Sequence, residues 1–196
     1  MNVPNKITIC RIFLSIFILV LMIFPLNRIG FEFPAISIKE GFIVDSKYLI
    51  IGVIFLIAAL TDFLDGHLAR KYNLVTDLGK VLDAIADKVL VDGVLIILAT
   101  EGYISAVVPV VVVSRDIMVD SIKMVAGQKN GAVAASITGK VKTTFMLIGI
   151  TLVLFYDLPF SLINIYPGKV IIMIATVLSV ISGVQYYNKN KKFLTK

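Results

Sequence analysis

The chain has 196 residues, 58% of them hydrophobic, and a formal net charge of +6. Its mean hydropathy of +0.95 exceeds that of a water-soluble domain, which is about 45–50% apolar, and the excess sits in long runs divided by short polar pieces, the pattern of a polytopic membrane protein. The lone cysteine, Cys10, excludes an intramolecular disulfide and a cysteine-ligated zinc cluster. The positive charge lies at the ends of apolar runs, which points to anionic lipid headgroups or a phosphate-bearing substrate and away from nucleic acid.

A spanning helix takes roughly 20 mostly apolar residues, and six such segments are predicted. Val3-Pro4-Asn5 reads as a lead-in at the interface, and the first helix runs from about Ile7 to Phe24, stopping at Pro25. No small-residue cleavage site follows it, so it reads as a retained helix and not as a removed signal peptide. Residues 26–47 mix Arg28, Glu32, Lys39, Glu40 and Asp45 with Phe31, Phe33 and Phe42, and predict an external loop lying on the membrane surface. The second helix starts near Tyr48, is apolar through Leu60 and continues to Arg70; the third runs from about Gly79 to Ala99, with a turn at Glu101-Gly102. The fourth spans about Ile104 to Val125, followed by a polar loop from Gly127 to Gly131. The fifth spans about Ile137 to Phe155, a turn region holds Pro159 and Pro167, and the sixth runs from about Val170 to Tyr187 before a basic tail.

No linker divides the chain, so it reads as one all-α transmembrane domain over residues 1–196. Six helices put both termini on one side. Fifteen of the nineteen basic residues fall on that side, and only Arg28, Lys39, Lys47 and Lys169 on the other. By the positive-inside rule the termini face the cytoplasm of a cell membrane.

Chemistry enters with four aspartates. Asp62 and Asp65 are three residues apart on the second helix, and Asp83 and Asp87 four apart on the third. Both spacings share a helix face, and consecutive helices joined by a short loop are normally neighbours. Four carboxylates therefore converge near the cytoplasmic ends of these helices. Ionisable groups in membrane helices are costly and mark function, and an all-oxygen donor set suits Mg²⁺, Mn²⁺ or Ca²⁺. Two such ions can clamp a pyrophosphate. Gly66 and Gly79 allow close approach, Ala69 is small, and Arg70 is a fixed cation for phosphate oxygens. The bland alternative, interface aspartates neutralised by Arg70, Lys71 and Lys88, does not explain four carboxylates at these spacings with two glycines between them.

In order and spacing, Asp62, Asp65, Gly66, Ala69, Arg70, Gly79, Asp83 and Asp87 resemble the signature D-x2-D-G-x2-A-R-x8-G-x3-D-x3-D of the CDP-alcohol phosphotransferase family. The resemblance extends to the opening from Asn2 to Thr8 with Arg11, to Ser114-Arg115-Asp116, where the family piece is Ser-Arg-Glu, and to Gly139-Lys140-Val141-Lys142-Thr143. It implies a six-helix homodimer that transfers the phosphatidyl group of CDP-diacylglycerol to an alcohol and releases CMP. Asp62, Asp65, Asp83 and Asp87 are then the ligands of two Mg²⁺ or Mn²⁺ ions per active site. Asp87 is also the general base, and Asp62, Gly66, Ala69, Arg70 and Gly79 line the CDP pocket.

Arg115, Lys123, Lys140 and Lys142 are candidates for an acceptor phosphate, here that of sn-glycerol 3-phosphate. Arg115 and Lys123 lie about two turns apart and face the same way, whereas Lys140 and Lys142 do not. Asp116 and Asp120 are placed to orient Arg115 or Lys123. Inositol phosphate would use the same cations and serine would not need them. A divalent-cation transporter, the alternative from another class, would place its acidic groups deep along several helices.

Overall fold

A computed structural model describes residues 2–26, 30, 33–39, 42–72, 74, 76–130 and 137–194. The apolar segments form six α-helices: α1 (Val3–Ile23), α2 (Ser46–Lys71), α3 (Asp77–Thr100), α4 (Val107–Asn130), α5 (Ile137–Leu154) and α6 (Pro167–Leu194). Four stretches are long and apolar enough to cross a membrane: Pro4–Ile23, Ser46–Gly66, Ile137–Leu154 and Pro167–Lys191. This is a membrane protein. Helices α3 and α4 have the length but are interrupted by charge, Asp83, Asp87, Lys88 and Asp92 in one and Arg115, Asp116, Asp120 and Lys123 in the other.

Several boundaries differ from the sequence expectation; α6 starts at Pro167 and continues through the expected basic tail to Leu194, and α4 starts at Val107. Val3-Pro4-Asn5 belongs to α1, because proline's fixed φ suits a first turn whose N–H groups have no helical partner anyway. Helix α4 continues through Gly127 to Asn130, with Ile122 and Ala126 buried on its inner face. The largest difference is in the 26–47 stretch, expected as a loop. Its described part holds a hairpin of β1 (Ala35–Lys39) and β2 (Phe42–Asp45), paired Ala35 to Asp45, Ile36 to Val44 and Ser37 to Ile43. The fold is therefore mostly helical, with one small antiparallel sheet, where all-α was expected. The charges flanking this stretch mask its β-branched alternation. Val44 is fully buried, and the Asp45 N–H donates to the Tyr156 hydroxyl at 3.2 Å. Tyr156 in turn packs edge-on against Tyr48 and Tyr103.

Helix α1 packs on α2 and α3, α6 packs on α4 and α5, and smaller contacts between α2 and α5 and between α3 and α4 join the two groups. Ile18, Phe55, Leu95, Leu98, Met146, Ile150 and Ile172 fill the centre. Large apolar side chains also cover the outside, among them Phe13, Phe17, Val110, Ile117 and Val177, as expected of a surface that meets lipid.

The α5–α6 contact depends on Gly149. A methyl group there would sit 3.1 Å from the Ile172 nitrogen and 3.2 Å from the Gly168 carbonyl oxygen, as well as 2.6 Å from Ile172 Cγ1. Backbone cannot give way as a side chain can, so Gly149→Ala is expected to destabilise by about 1–3 kcal/mol. Gly127→Ala, with nothing within 4 Å, is expected to be neutral or slightly stabilising. Thermal unfolding of the two variants in detergent checks the contrast, and equal melting temperatures would contradict it.

Candidate active site

The four aspartates come together as their spacings require. Helix α2 supplies Asp62 and Asp65, and α3 supplies Asp83 and Asp87. One oxygen from each of Asp62, Asp83 and Asp87 lies within 4.8 Å of the others. Asp65 sits behind them, 3% exposed, and its Oδ2 accepts from Thr8 Oγ1 at 3.0 Å and from Arg11 Nη2.

Arg11 is the site residue that sequence reasoning passed over. It was counted with the cytoplasmic basic residues and within the family-like opening of the chain, but its side chain is fully buried in the middle of the carboxylates. It pairs with Asp62 and Asp65, and its Nη1 lies 3.1 Å from Asp83 and 3.7 Å from Asp87. An arginine inside the first apolar run was the available signal, since a charge there needs a partner.

The motif glycine Gly79 also has a structural reason. Thr76 caps α3, accepting from the Gly79 N–H at 3.0 Å, and Asn5 Nδ2 donates to Thr76 Oγ1 at 3.1 Å. A Cβ at Gly79 would lie 2.7 Å from Asn5 Oδ1. The close approach at Gly79 is thus made by α1, which ties the start of α1 to the start of α3.

A cavity of about 440 Å³ opens beside Asp62, Asp83 and Asp87. Its described lining continues through Lys80, Lys88 and Asp92 to Arg115, Asp116, Asp120, Lys123, Lys140 and Lys142. The pocket therefore has an acidic end and a predominantly basic end. All four predicted acceptor-site cations line it. Their settings differ: Lys142 is buried and bound to Asp116, whereas Lys140 is exposed at the rim. Arg115 is held by Asp116, Ser179 and Ser182. Asp120 pairs with Lys88 and, at 3.3 Å, with Lys123. The expected orienting roles of Asp116 and Asp120 thus fall on separate partners. Of the residues expected at the CDP pocket, Asp62 lines the cavity, while Gly66 and Gly79 are not in its described lining. Ala69 and Arg70 lie on α2, and their side chains fall outside the described residues.

The donor set fits a divalent metal. Four carboxylates share one arginine, which leaves the cluster negative, and hard carboxylate oxygens in this number match Mg²⁺ or Mn²⁺.

The profile of the CDP-alcohol phosphatidyltransferase family matches residues 1–181, and the chain belongs to that family. Among its relatives is a protein of Bacillus subtilis (strain 168), 35% identical over 189 residues, which cover 96% of this chain and 95% of the relative. A protein of Mycoplasma genitalium is 37% identical, over 76% of this chain and 63% of its own length. One of Rickettsia felis is 29% identical over 98% and 97%. All three carry the name CDP-diacylglycerol–glycerol-3-phosphate 3-phosphatidyltransferase.

Proposed function

We propose that this protein transfers the phosphatidyl group of CDP-diacylglycerol to sn-glycerol 3-phosphate, giving phosphatidylglycerophosphate and CMP. The observation that carries the proposal is the two-ended cavity: three clustered carboxylates at one end and Arg115, Lys123, Lys140 and Lys142 at the other. A donor pyrophosphate, with its metals, suits the first end, and the phosphate of an acceptor suits the second.

Asp62, Asp83 and Asp87 would hold two Mg²⁺ (or Mn²⁺) ions together with Asp65, whose Oδ2 is engaged by Arg11 and Thr8. When bound, such ions offset the charge that grows on the transferring phosphate and on the departing CMP oxygen. Asp87 accepts the proton of the acceptor hydroxyl as that oxygen bonds to the β-phosphorus and the bond to CMP breaks. Arg70, with Gly66, Ala69 and Gly79, is assigned to the CDP side. Arg115 and Lys142 present fixed cations to the acceptor phosphate, with Lys123 and Lys140 nearer the entrance.

The same proposal includes a single domain over residues 1–196 with six spans. In α3 and α4 the charged side chains named above line the cavity, while Ile96, Val107, Val110 and Ile117 face outward. Both helices can therefore cross a bilayer with their charges turned inward. Both termini and the cavity face the cytoplasm of the cell membrane, where the basic residues concentrate. The lipid tails stay in the bilayer, and the active form is a homodimer. Clustering of the carboxylates at one end of α2 and α3 favours surface chemistry over a transport path.

The test is CMP release by detergent-purified protein given CDP-diacylglycerol and Mg²⁺, with glycerol 3-phosphate, inositol 1-phosphate or serine as acceptor. Release with glycerol 3-phosphate alone is expected. Release with serine would sink the role of the basic end, and release with none of them would sink the enzyme assignment.

A further inference from the structure

Asp116 lines the cavity but does not belong to the carboxylate group that suits a metal. Both of its oxygens are committed to cations. Oδ1 accepts from Arg115 Nη1 at 2.7 Å, and Lys142 Nζ donates to Oδ1 at 3.1 Å and to Oδ2 at 2.8 Å. All three side chains are largely sequestered: Lys142 is 8% exposed, Arg115 11% and Asp116 18%. Arg115 is fixed at two further points on α6, where its Nε donates to the Ser179 carbonyl at 3.0 Å and its Nη2 to Ser182 Oγ at 2.6 Å. Three of its nitrogens thus hold it to protein, and the plane of the guanidinium is set between α4 and α6. Among the described residues, the remaining N–H groups of Nη1 and Nη2 are left for another acceptor.

Two cations this close and this poorly hydrated repel unless an anion lies between them. We propose that Asp116 is a positioning residue: it holds Arg115 and Lys142 pointed together, so that they receive the acceptor's phosphate as a preformed pair. The inference rests on placing the acceptor at this end of the cavity. The carboxylate makes no contact with the reacting atoms. Its effect falls on acceptor affinity, leaving the donor and the metal largely untouched. With Asp116 in place the trio carries one net positive charge, enough to attract a phosphate without the self-repulsion of two bare cations.

Steady-state CMP release is measured for the wild type, Asp116→Asn, Asp116→Glu and Ser182→Ala, varying glycerol 3-phosphate and CDP-diacylglycerol in turn. Asp116→Asn is expected to raise KM for glycerol 3-phosphate by about tenfold or more, since it removes hydrogen bonds between charged groups, with KM for CDP-diacylglycerol and the Mg²⁺ dependence little changed. Asp116→Glu is expected to restore most of the affinity, because the charge returns. Ser182→Ala loosens the same guanidinium without a charge change and is expected to raise the acceptor KM by a smaller factor. It keeps the idea testable should Asp116→Asn fail to fold. A wild type that releases CMP normally, beside variants whose acceptor KM is unchanged or rises in step with the donor KM, overturns the positioning role alone. A wild type that releases no CMP with glycerol 3-phosphate overturns the acceptor assignment and the positioning role with it.

Discussion

Asp87→Asn is expected to lower CMP release by roughly 10³-fold, the range for losing a positioned general base. Asparagine is nearly isosteric but takes up no proton at neutral pH, and it is a poorer partner for a hard cation. Asp87 shares the 4.8 Å cluster with Asp62 and Asp83 and faces the cavity, so a single change strikes both proposed duties. Arg11 is 3.7 Å from Asp87 but closer to the other three carboxylates, so the fold should hold. Turnover and melting temperature are measured together. Chelating the metal from wild-type protein is expected to cause a similar loss that added Mg²⁺ reverses, whereas Mg²⁺ does not rescue the variant. More than a tenth of wild-type turnover in folded Asp87→Asn would remove Asp87 from the mechanism.

Arg11→Met is the second large effect, and it falls on stability. The guanidinium lies within ion-pair distance of all four carboxylates, and it links α1 to both α2 and α3. Methionine fills much of the space but leaves Asp65 buried with Thr8 as its remaining partner among the described residues. Removing one side of a buried ion pair costs about 3–5 kcal/mol, and the exposure of Asp62, Asp83 and Asp87 places this case toward the lower end. A divalent ion at the same cluster supplies some of the missing charge. Unfolding in detergent is therefore expected to show a large loss of melting temperature with EDTA and a smaller one with Mg²⁺. The rise produced by Mg²⁺ is expected to be greater in the variant than in the wild type. The same melting temperature with and without Arg11 in EDTA would show that the cluster holds together without it.

The parts of the fold that depend on local periodicity were legible in the residues alone. Runs of apolar residues marked the helices, four of them long and apolar enough to cross a membrane, because a segment in lipid must satisfy its own backbone. The i, i+3 and i, i+4 spacings of Asp62, Asp65, Asp83 and Asp87 brought four carboxylates together, because α2 and α3 are consecutive and their connection is short. The fixed gaps of the motif pointed to the family that the profile match then showed.

Which groups meet across long chain separations followed from the packing of the helices. Arg11 is 51 residues from Asp62 and 72 from Asp83, and no local pattern distinguishes an arginine that anchors at a headgroup from one that turns into a carboxylate cluster. Lys140 and Lys142 look alike in sequence; one is exposed and the other is buried on Asp116, 26 residues away, because α5 presents successive residues to different neighbours. The hairpin at 35–45 was likewise hidden, since its stability comes from Val44 in the core and from Tyr156, 111 residues distant from Asp45. Periodicity says which face of a helix is polar, whereas the partner of a charge on that face is fixed only by how the helices pack.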